Sequence, residues 1–140
     1  FFCISPKPNP FLKNILNILI VDDNLNFINR MTGLLDEVRL RKCISTATDF
    51  NEAIKQLSVF NPHIVLLDIN MPGKNGIELL KYIRKKHPGT EVIMLTNHFE
   101  SYYREQCIEL GARFFLDKSN DFLQVPEIVK EYFRANNEKS

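Results

Sequence analysis

Apolar residues along the chain fall into two alternating patterns. One is a short run rich in β-branched residues and leucine, which is typical of a strand buried on both faces of a sheet. The other has apolar residues at every third or fourth position, as in an amphipathic helix; Phe27, Met31, Leu34 and Leu35 are the first example. Five strands are predicted, at residues 15–21, 42–47, 63–67, 91–95 and 113–116.

Several residues between these strands have the chemistry of helix ends. Asp49 followed by Glu52 resembles a capping box and predicts a helix that runs through Phe60. Gly111 suits the end of a helix over residues 101–110, and Pro126 suits the first position of the last helix. Each predicted strand is therefore followed by a predicted helix.

Strands that alternate with helices predict a parallel sheet with helices on both faces. A flavodoxin-like (βα)5 three-layer sandwich, with strand order 2-1-3-4-5, is one common way to build such a sheet. In that order the first and third strands are neighbours. Ligands of such folds bind beyond the carboxyl ends of the strands, at the point between these two strands.

The amino-acid composition limits which kinds of protein this chain can be. The chain has 140 residues, 44% of them hydrophobic, and a net charge of +1, which fits one globular domain and favours neither nucleic acid nor an anionic membrane as a partner. Three cysteines without a C-x-x-C pair favour reduced thiols and a cytoplasmic location. We expect a domain over residues 15–135, a proline-containing N-terminal extension over 1–14, either native or added at the start of the chain, and a polar tail over 136–140.

The predicted strand ends carry acidic, hydroxyl and basic side chains. Asp22 and Asp23 follow the first strand, Asp68 the third, Thr96 ends the fourth, and Lys118 follows the fifth. Three carboxylates in one crevice repel one another, and a hard divalent cation such as Mg²⁺ would relieve this. With Mg²⁺ and Lys118 the formal charges sum to about zero, so the site could accept a phosphoryl group, with Asp68 as the nucleophile.

Four strings of residues resemble the receiver domain of response regulators in two-component signalling: ILIVDDN (18–24), LLDINMPGKNG (66–76), MLT (94–96) and FFLDK (114–118). The resemblance extends from about Ile15 to Phe133. It implies that Asp68 accepts phosphate from a phosphohistidine, and that Thr96 and Lys118 contact the phosphoryl group. The implied Mg²⁺ ligands are Asp22, Asp23, Asp68 and the backbone carbonyl of Asn70.

The resemblance also implies a switch and a set of partners. Thr96 would move toward the phosphoryl group, and Phe115 would rotate inward and reshape the face formed by the fourth helix, fifth strand and fifth helix. We expect a histidine kinase or phosphotransfer protein as donor and a downstream protein target, and a phosphorylation-dependent dimer stays open. No direct nucleic-acid contact and no membrane association are expected. A single-domain regulator is favoured, and a fragment of a larger regulator stays open.

Four positions depart from the pattern or tune it. Many receivers have a cis proline after the lysine, whereas Ser119 stands here, so we expect a trans bond. Asn97 follows Thr96 where the family often has a small residue, which puts access to the phosphoryl site in question. Asn70 and His98 occupy positions that tune dephosphorylation, and changing either should alter the phosphoryl lifetime.

Other functions were weighed against this one. A phosphatase of the haloacid-dehalogenase type also uses a strand-end aspartate and Mg²⁺, but its D-x-D-x-T pattern is not matched by the string DINMP at residues 68–72. A flavin carrier would need a hydroxyl- and amide-rich phosphate loop after the first strand, where Asp22 and Asp23 would repel phosphate. A degenerate receiver is disfavoured because all the site residues are present. We therefore expect no enzyme activity beyond self-phosphorylation and self-dephosphorylation.

Overall fold

The computed structural model describes residues 2–4, 15–97 and 101–137. Their strands form one six-stranded sheet in the order β1-β3-β2-β4-β5-β6. Neighbours from β3 to β6 in that order are parallel, whereas β1 is antiparallel to β3. The strands are β1 (Phe2–Ile4), β2 (Leu16–Val21), β3 (Lys42–Ala47), β4 (Ile64–Leu67), β5 (Glu91–Thr96) and β6 (Phe114–Asp117).

The five predicted strands are β2 to β6, and their spatial order is the predicted 2-1-3-4-5. The predicted flavodoxin-like fold is therefore confirmed. β1 was not predicted, because residues 1–14 were interpreted only as an extension. It pairs with β3 in the register Phe2 to Ile44, Cys3 to Cys43 and Ile4 to Lys42, and so lies along the outer edge of β3.

Five α-helices connect or follow these strands, and a short 3₁₀ helix, Phe122–Gln124, precedes the last one. Asp49 caps its helix by accepting a hydrogen bond from the amide of Glu52 at 2.8 Å, as the capping-box pattern predicts. Pro126 is the second residue of the last helix, not the first. The helices are α1 (Leu25–Asp36), α2 (Phe50–Phe60), α3 (Gly76–Lys86), α4 (Ser101–Glu109) and α5 (Val125–Asn137).

Two buried apolar clusters cover the two faces of the sheet, since side chains alternate along each strand. Leu19, Val65 and Met94 point to the face covered by α2, α3 and α4. Ile20 and Leu66, each one position along, point to the face covered by α1 and α5. Burial on both faces explains why the strands read as nearly continuous apolar runs.

Some expectations need correction. Cys43 is disulfide-bonded, so the prediction of reduced thiols is wrong there. A count of cysteines does not show which of them the fold brings together. Cys107 is free, and burial raises the pKa of its thiol to about 11. α5 continues to Asn137, so the predicted polar tail begins inside a helix. Among the described helices, none has both the length and the apolar character needed to cross a bilayer.

Candidate functional site

Two neighbouring strand ends bring acidic side chains together. Asp22 follows β2 and Asp68 follows β4; these strands pair in parallel up to Val21 and Leu67, and the amide of Asp68 donates to the carbonyl of Val21 at 3.1 Å. One carboxylate oxygen from each of Asp22, Asp23 and Asp68 lies within 4.8 Å of the others. Asp22 and Asp68 are buried, whereas Asp23 is exposed.

Lys118 reaches the same place from β6. Its Nζ lies 2.6 Å from Asp22 Oδ2 and 3.1 Å from Asp68 Oδ2. The lysine backbone is fixed as well, because its amide donates to the carbonyl of Thr96 at 2.9 Å. Four of the predicted site residues, Asp22, Asp23, Asp68 and Lys118, therefore meet at the carboxyl end of the sheet.

Burial and ion pairing act in opposite directions on this cluster. Burial raises the pKa of Asp22, and the hydrogen bonds that it accepts from Lys118 and from the Asn24 amide offset this only in part. Burial lowers the pKa of Lys118, but the hydrogen bonds and negative charges of Asp22 and Asp68 outweigh it, so the net pKa of Lys118 is raised. The lysine is thus a firmly held cation, and the acidic residues retain more negative charge than it neutralises.

Close contacts with the backbone of Asp68 explain why the last residue of the string LLDINMPGKNG, Gly76, is a glycine. A Cβ atom on Gly76 would overlap the carbonyl oxygen of Asp68 and would lie 2.9 Å from the Cα atom of Ile69. The amide of Gly76 also donates to the carbonyl of Ile69 at 2.7 Å. The start of α3 therefore packs directly on the backbone that carries Asp68, and only glycine leaves room for it.

The predicted switch residues, Thr96 and Phe115, are buried, whereas the predicted tuning residue Asn97 is exposed. Thr96 is fully buried at the end of β5, and Asn97 is exposed beside it. Phe115 is 3% exposed and packs in the core cluster on the α2–α4 face. The ring is therefore already inside, and the predicted inward rotation has no outward starting position in this structure. His98 lies outside the described residues.

The loop between β6 and α5 is built without a cis proline. None of the peptide bonds in the described ranges is cis, so the trans bond expected between Lys118 and Ser119 is confirmed. Asp117 Oδ1 accepts from the amide of Ser119 at 2.9 Å, and Asp121 Oδ2 accepts from the amide of Asp117 at 2.8 Å. These side-chain caps stabilise the turn from which Lys118 extends.

Phe27 is a site neighbour that the sequence pattern did not reveal. Its ring centroid lies 4.5 Å from Lys118 Nζ. The apolar spacing of α1 assigned Phe27 to the core, where its ring is indeed 6% exposed. Its place four residues after Asp23, in the first turn of the helix that follows the acidic pair, is the signal that could have placed it at the site.

The donor set of this cluster fits a hard cation. Three carboxylates with oxygens within 4.8 Å of one another present only oxygen ligands, and one of the three is exposed enough to leave an entry path. Few oxygen ligands beside room for water suit Mg²⁺. The residues that would hold the ion are Asp22, Asp23 and Asp68, with the carbonyl of Asn70 as the further predicted ligand.

The fold and the site together define a doubly wound α/β protein with an acidic cluster at the carboxyl ends of its strands that could hold a cation. The family model for the response regulator receiver domain matches residues 18–130. The chain therefore belongs to the response regulator receiver domain family.

Two curated relatives are transcriptional regulatory proteins. The chain is 28% identical over 118 residues to the transcriptional regulatory protein DegU of Brevibacillus brevis, covering 84% of this chain and 50% of that protein. It is 34% identical over 101 residues to the transcriptional regulatory protein YdfI of Bacillus subtilis strain 168, covering 72% of this chain and 47% of that protein. The chain thus spans about half the length of these relatives.

Solved structures agree on the fold. A CheY-like response regulator receiver domain protein from Methanospirillum hungatei JF-1 superposes with a TM-score of 0.80 at 23% identity, covering 91% of this chain and 100% of that one. A LuxR-family two-component response regulator from Aurantimonas sp. SI85-9A1 gives a TM-score of 0.77 at 25% identity, covering 87% of each chain.

Proposed function

We propose that this receiver domain is a phosphoryl-accepting switch in which Asp68 takes a phosphoryl group from a phosphohistidine on a kinase or phosphotransfer protein, with Mg²⁺ bound beside it. The observation that carries the proposal is the position of Lys118 Nζ, 2.6 Å from Asp22 and 3.1 Å from Asp68 at the ends of two adjacent strands. The proposal combines this geometry with membership of the receiver family.

The proposed reaction is a displacement at phosphorus. A carboxylate oxygen of Asp68 forms a bond to phosphorus, the bond from phosphorus to the donor imidazole nitrogen breaks, and that nitrogen keeps the electron pair. Phosphoryl transfer needs mainly positioning and neutralisation of charge. Lys118 supplies one positive charge next to Asp68, and bound Mg²⁺ would supply charge neutralisation for the phosphoryl oxygens.

Asp68 is the best placed nucleophile of the three acids. Asp22 is 1% exposed and its two oxygens already accept hydrogen bonds from Lys118 and the Asn24 amide. Asp23 is exposed and suits a cation ligand. Asp68 accepts from Lys118 through Oδ2, while the amide of Asn70 is 3.4 Å from Oδ1, a weak contact that an incoming group can replace.

The response to phosphorylation is proposed to begin at Thr96. Its hydroxyl would donate to a phosphoryl oxygen and draw the end of β5 inward. Since Phe115 already lies in the core, the shift would be passed to α4 through the packing around this ring rather than through a large rotation. The face of α4, β6 and α5 would then differ between the two states and be recognised by a downstream protein or a second copy of the domain.

Access to Asp68 and the lifetime of the phosphoryl group are proposed to depend on residues in the loops after β4, β5 and β6. Ser119 Oγ donates to Asn97 Oδ1 at 3.3 Å, and this contact links the loops after β5 and β6 beside the site. Asn70, and His98 by its sequence position, would set how water reaches the phosphoryl group. A change at Asn70 or His98 should therefore alter the decay of the phosphorylated form.

The family and the relatives support a signalling role for this domain and suggest the kind of partner that it has. The family and the relatives named above support a signalling role without a further enzymatic activity, and they give no support to the haloacid-dehalogenase alternative. The named relatives are transcriptional regulatory proteins of about twice the matched length. The proposed location of this domain is the cytoplasm, and the proposed donor is a sensor histidine kinase or a histidine phosphotransfer protein. No direct contact of this domain with nucleic acid or membrane is proposed.

Intact mass after incubation with a small phosphodonor tests the proposal. With Mg²⁺ and acetyl phosphate or phosphoramidate, the protein should gain one phosphoryl group, and Asp68→Asn should gain none. Asp36→Asn, which should gain the phosphoryl group as the wild type does, is a suitable control, because Asp36 is exposed at the end of α1 far from the acidic cluster. A protein that gains no phosphoryl group, or an Asp68→Asn variant that still gains it, contradicts the proposal, and turnover of a generic phosphate ester would indicate a phosphatase instead.

A further inference from the structure

Lys118 Nζ has an aromatic neighbour as well as two acidic ones. The centroid of the Phe27 ring lies 4.5 Å from this nitrogen, which is within the range of a cation–π contact. The ring is 6% exposed and the lysine side chain is 9% exposed, so water screens the contact little. Phe27 therefore belongs to the surroundings of the charge that the proposed reaction uses.

The position of the ring is tied to the acidic pair through the cap of α1. The amide of Asn24 donates to Asp22 Oδ1 at 2.8 Å, and Asn24 Oδ1 accepts from the amide of Phe27 at 3.1 Å. The ring also meets Phe122 edge to face, with centroids 5.8 Å apart and an interplanar angle of 77°. The guanidinium of Arg30 lies 4.8 Å from the Phe122 centroid. Both the backbone and the ring of Phe27 are thus fixed.

We infer that Phe27 is a positioning residue for Lys118, and that the face of its ring holds the ammonium group over the phosphoryl site. This inference rests on the proposed function. The two carboxylate neighbours of Nζ are groups that the proposed reaction would use: Asp68 would form the bond to phosphorus, and Asp22 would help to hold the cation. The contact with the Phe27 ring takes no part in bonding to phosphorus or in holding the cation. The contribution of the ring to holding the ammonium group therefore increases as the two carboxylates are engaged elsewhere.

Fluorination of one ring tests the electrostatic part of this inference. Fluorine withdraws electron density from the face of an aromatic ring and weakens its attraction for a cation while changing its shape little. Phe27 would be replaced in the full chain by 4-fluoro-, 3,5-difluoro- and 3,4,5-trifluorophenylalanine. The rate of phosphoryl gain from phosphoramidate should fall with each added fluorine, by roughly threefold to thirtyfold over the series.

Phe60 is the matched control. It has the same exposure of 6%, but it ends α2 and accepts through its carbonyl from the side chain of Asn17, near the start of β2 and so at the opposite end of the strand from Asp22. The same fluorinated residues at position 60 should leave the rate unchanged. Phe27→Leu should lose most of the rate, and Phe27→Tyr, which keeps an electron-rich face, should recover much of it.

A second measurement does not depend on the reaction. In the metal-free protein, the Cε protons of Lys118 should show an upfield ring-current shift that disappears in Phe27→Leu and persists in Phe60→Leu. A rate that is flat across the fluorinated series, or Cε protons without this shift, overturns the inference. Failure of the wild-type protein to gain a phosphoryl group would instead overturn the proposed function, while the proton shift would still decide whether the ring contacts the lysine.

Discussion

The two ends of the sheet bury polar groups in different ways. At the amino ends of the strands, Lys42 Nζ donates to the carbonyl of Val38 at 2.7 Å, and Thr90 Oγ1 donates to the carbonyl of Pro62 at 2.9 Å. These side chains complete the hydrogen bonding of nearby backbone. At the carboxyl ends the charged groups of Asp22 and Lys118 face each other, with two further acids beside them.

This difference separates polar groups that support the fold from polar groups that are suited to a ligand. A buried carbonyl that receives a hydrogen bond needs nothing more. Three carboxylates beside one ammonium group keep an excess negative charge that a cation can neutralise, and their mutual repulsion lowers the stability of the folded protein. The polar groups named at the amino end of the sheet are therefore already hydrogen-bonded, whereas a bound cation would stabilise the carboxyl end.

The largest expected effect concerns the packing beneath Asp68. Gly76→Ala should lower the free energy of unfolding by about 3 kcal/mol, because its Cβ atom would overlap backbone that cannot move without shifting Asp68. Gly89→Ala, in the turn before β5 at the other end of the sheet, is the control. A Cβ there meets no atom within 4 Å, so its effect should stay within about 0.5 kcal/mol. Equal denaturation midpoints for the two variants would show that the carboxyl end is not the tighter one.

An intermediate effect should appear in the response to Mg²⁺. With the ion at ten times its Kd, the wild-type protein should gain about 1.4 kcal/mol in thermal or chemical unfolding. Asp23→Asn should lose most of this gain, and in the presence of a chelator it should be at least as stable as the wild type, because one repelling charge is removed.

Thr90→Val supplies the matched comparison from the amino end. It should lower stability by about 1–2 kcal/mol through the loss of one buried hydrogen bond, and its gain from Mg²⁺ should equal that of the wild type. A smaller Mg²⁺ response in Thr90→Val, or an unchanged response in Asp23→Asn, would remove the distinction between the two ends.

The smallest effect should come from His63, at the amino end. Its Nδ1 accepts from the amide of Asn17 at 2.9 Å, which requires the unprotonated ring, and burial lowers the pKa of His63 below its ordinary value of 6.5. As the pH falls, His63 is protonated in the unfolded chain before it is protonated in the folded chain. The stabilisation from the hydrogen bond between Asn17 and His63 is therefore present above pH 6.5 and is lost as the pH falls below that value.

Comparing wild type with His63→Gln at pH 7.5 and pH 5.5 isolates this contribution from that of the carboxylates. The stability difference between the two proteins should shrink on acidification by no more than about 1 kcal/mol, since the ring is partly exposed. A difference that stays constant between the two pH values would mean that the hydrogen bond from Asn17 does not depend on the protonation state of His63.

The sequence by itself determined the order of the elements and the end of the sheet at which the charged residues meet. Strands buried on both faces must be apolar throughout, and the residues just beyond their carboxyl ends, among them Asp22, Asp68 and Lys118, then lie on one side of the sheet. The predicted adjacency of the strands before Asp22 and Asp68 is confirmed by the register of β2 and β4. Local periodicity and the common strand order of such sheets were sufficient for this part.

Only the tertiary structure decided which neighbours each of these residues has. The contact of Phe27 with Lys118, the closeness of Gly76 to the backbone of Asp68 and the buried position of Phe115 each depend on packing between distant parts of the chain. The pairing of Phe2–Ile4 with β3 is of the same kind. An apolar position in a pattern shows that a side chain is buried, but what it is buried against depends on the relative placement of whole helices and strands, which a local pattern does not contain.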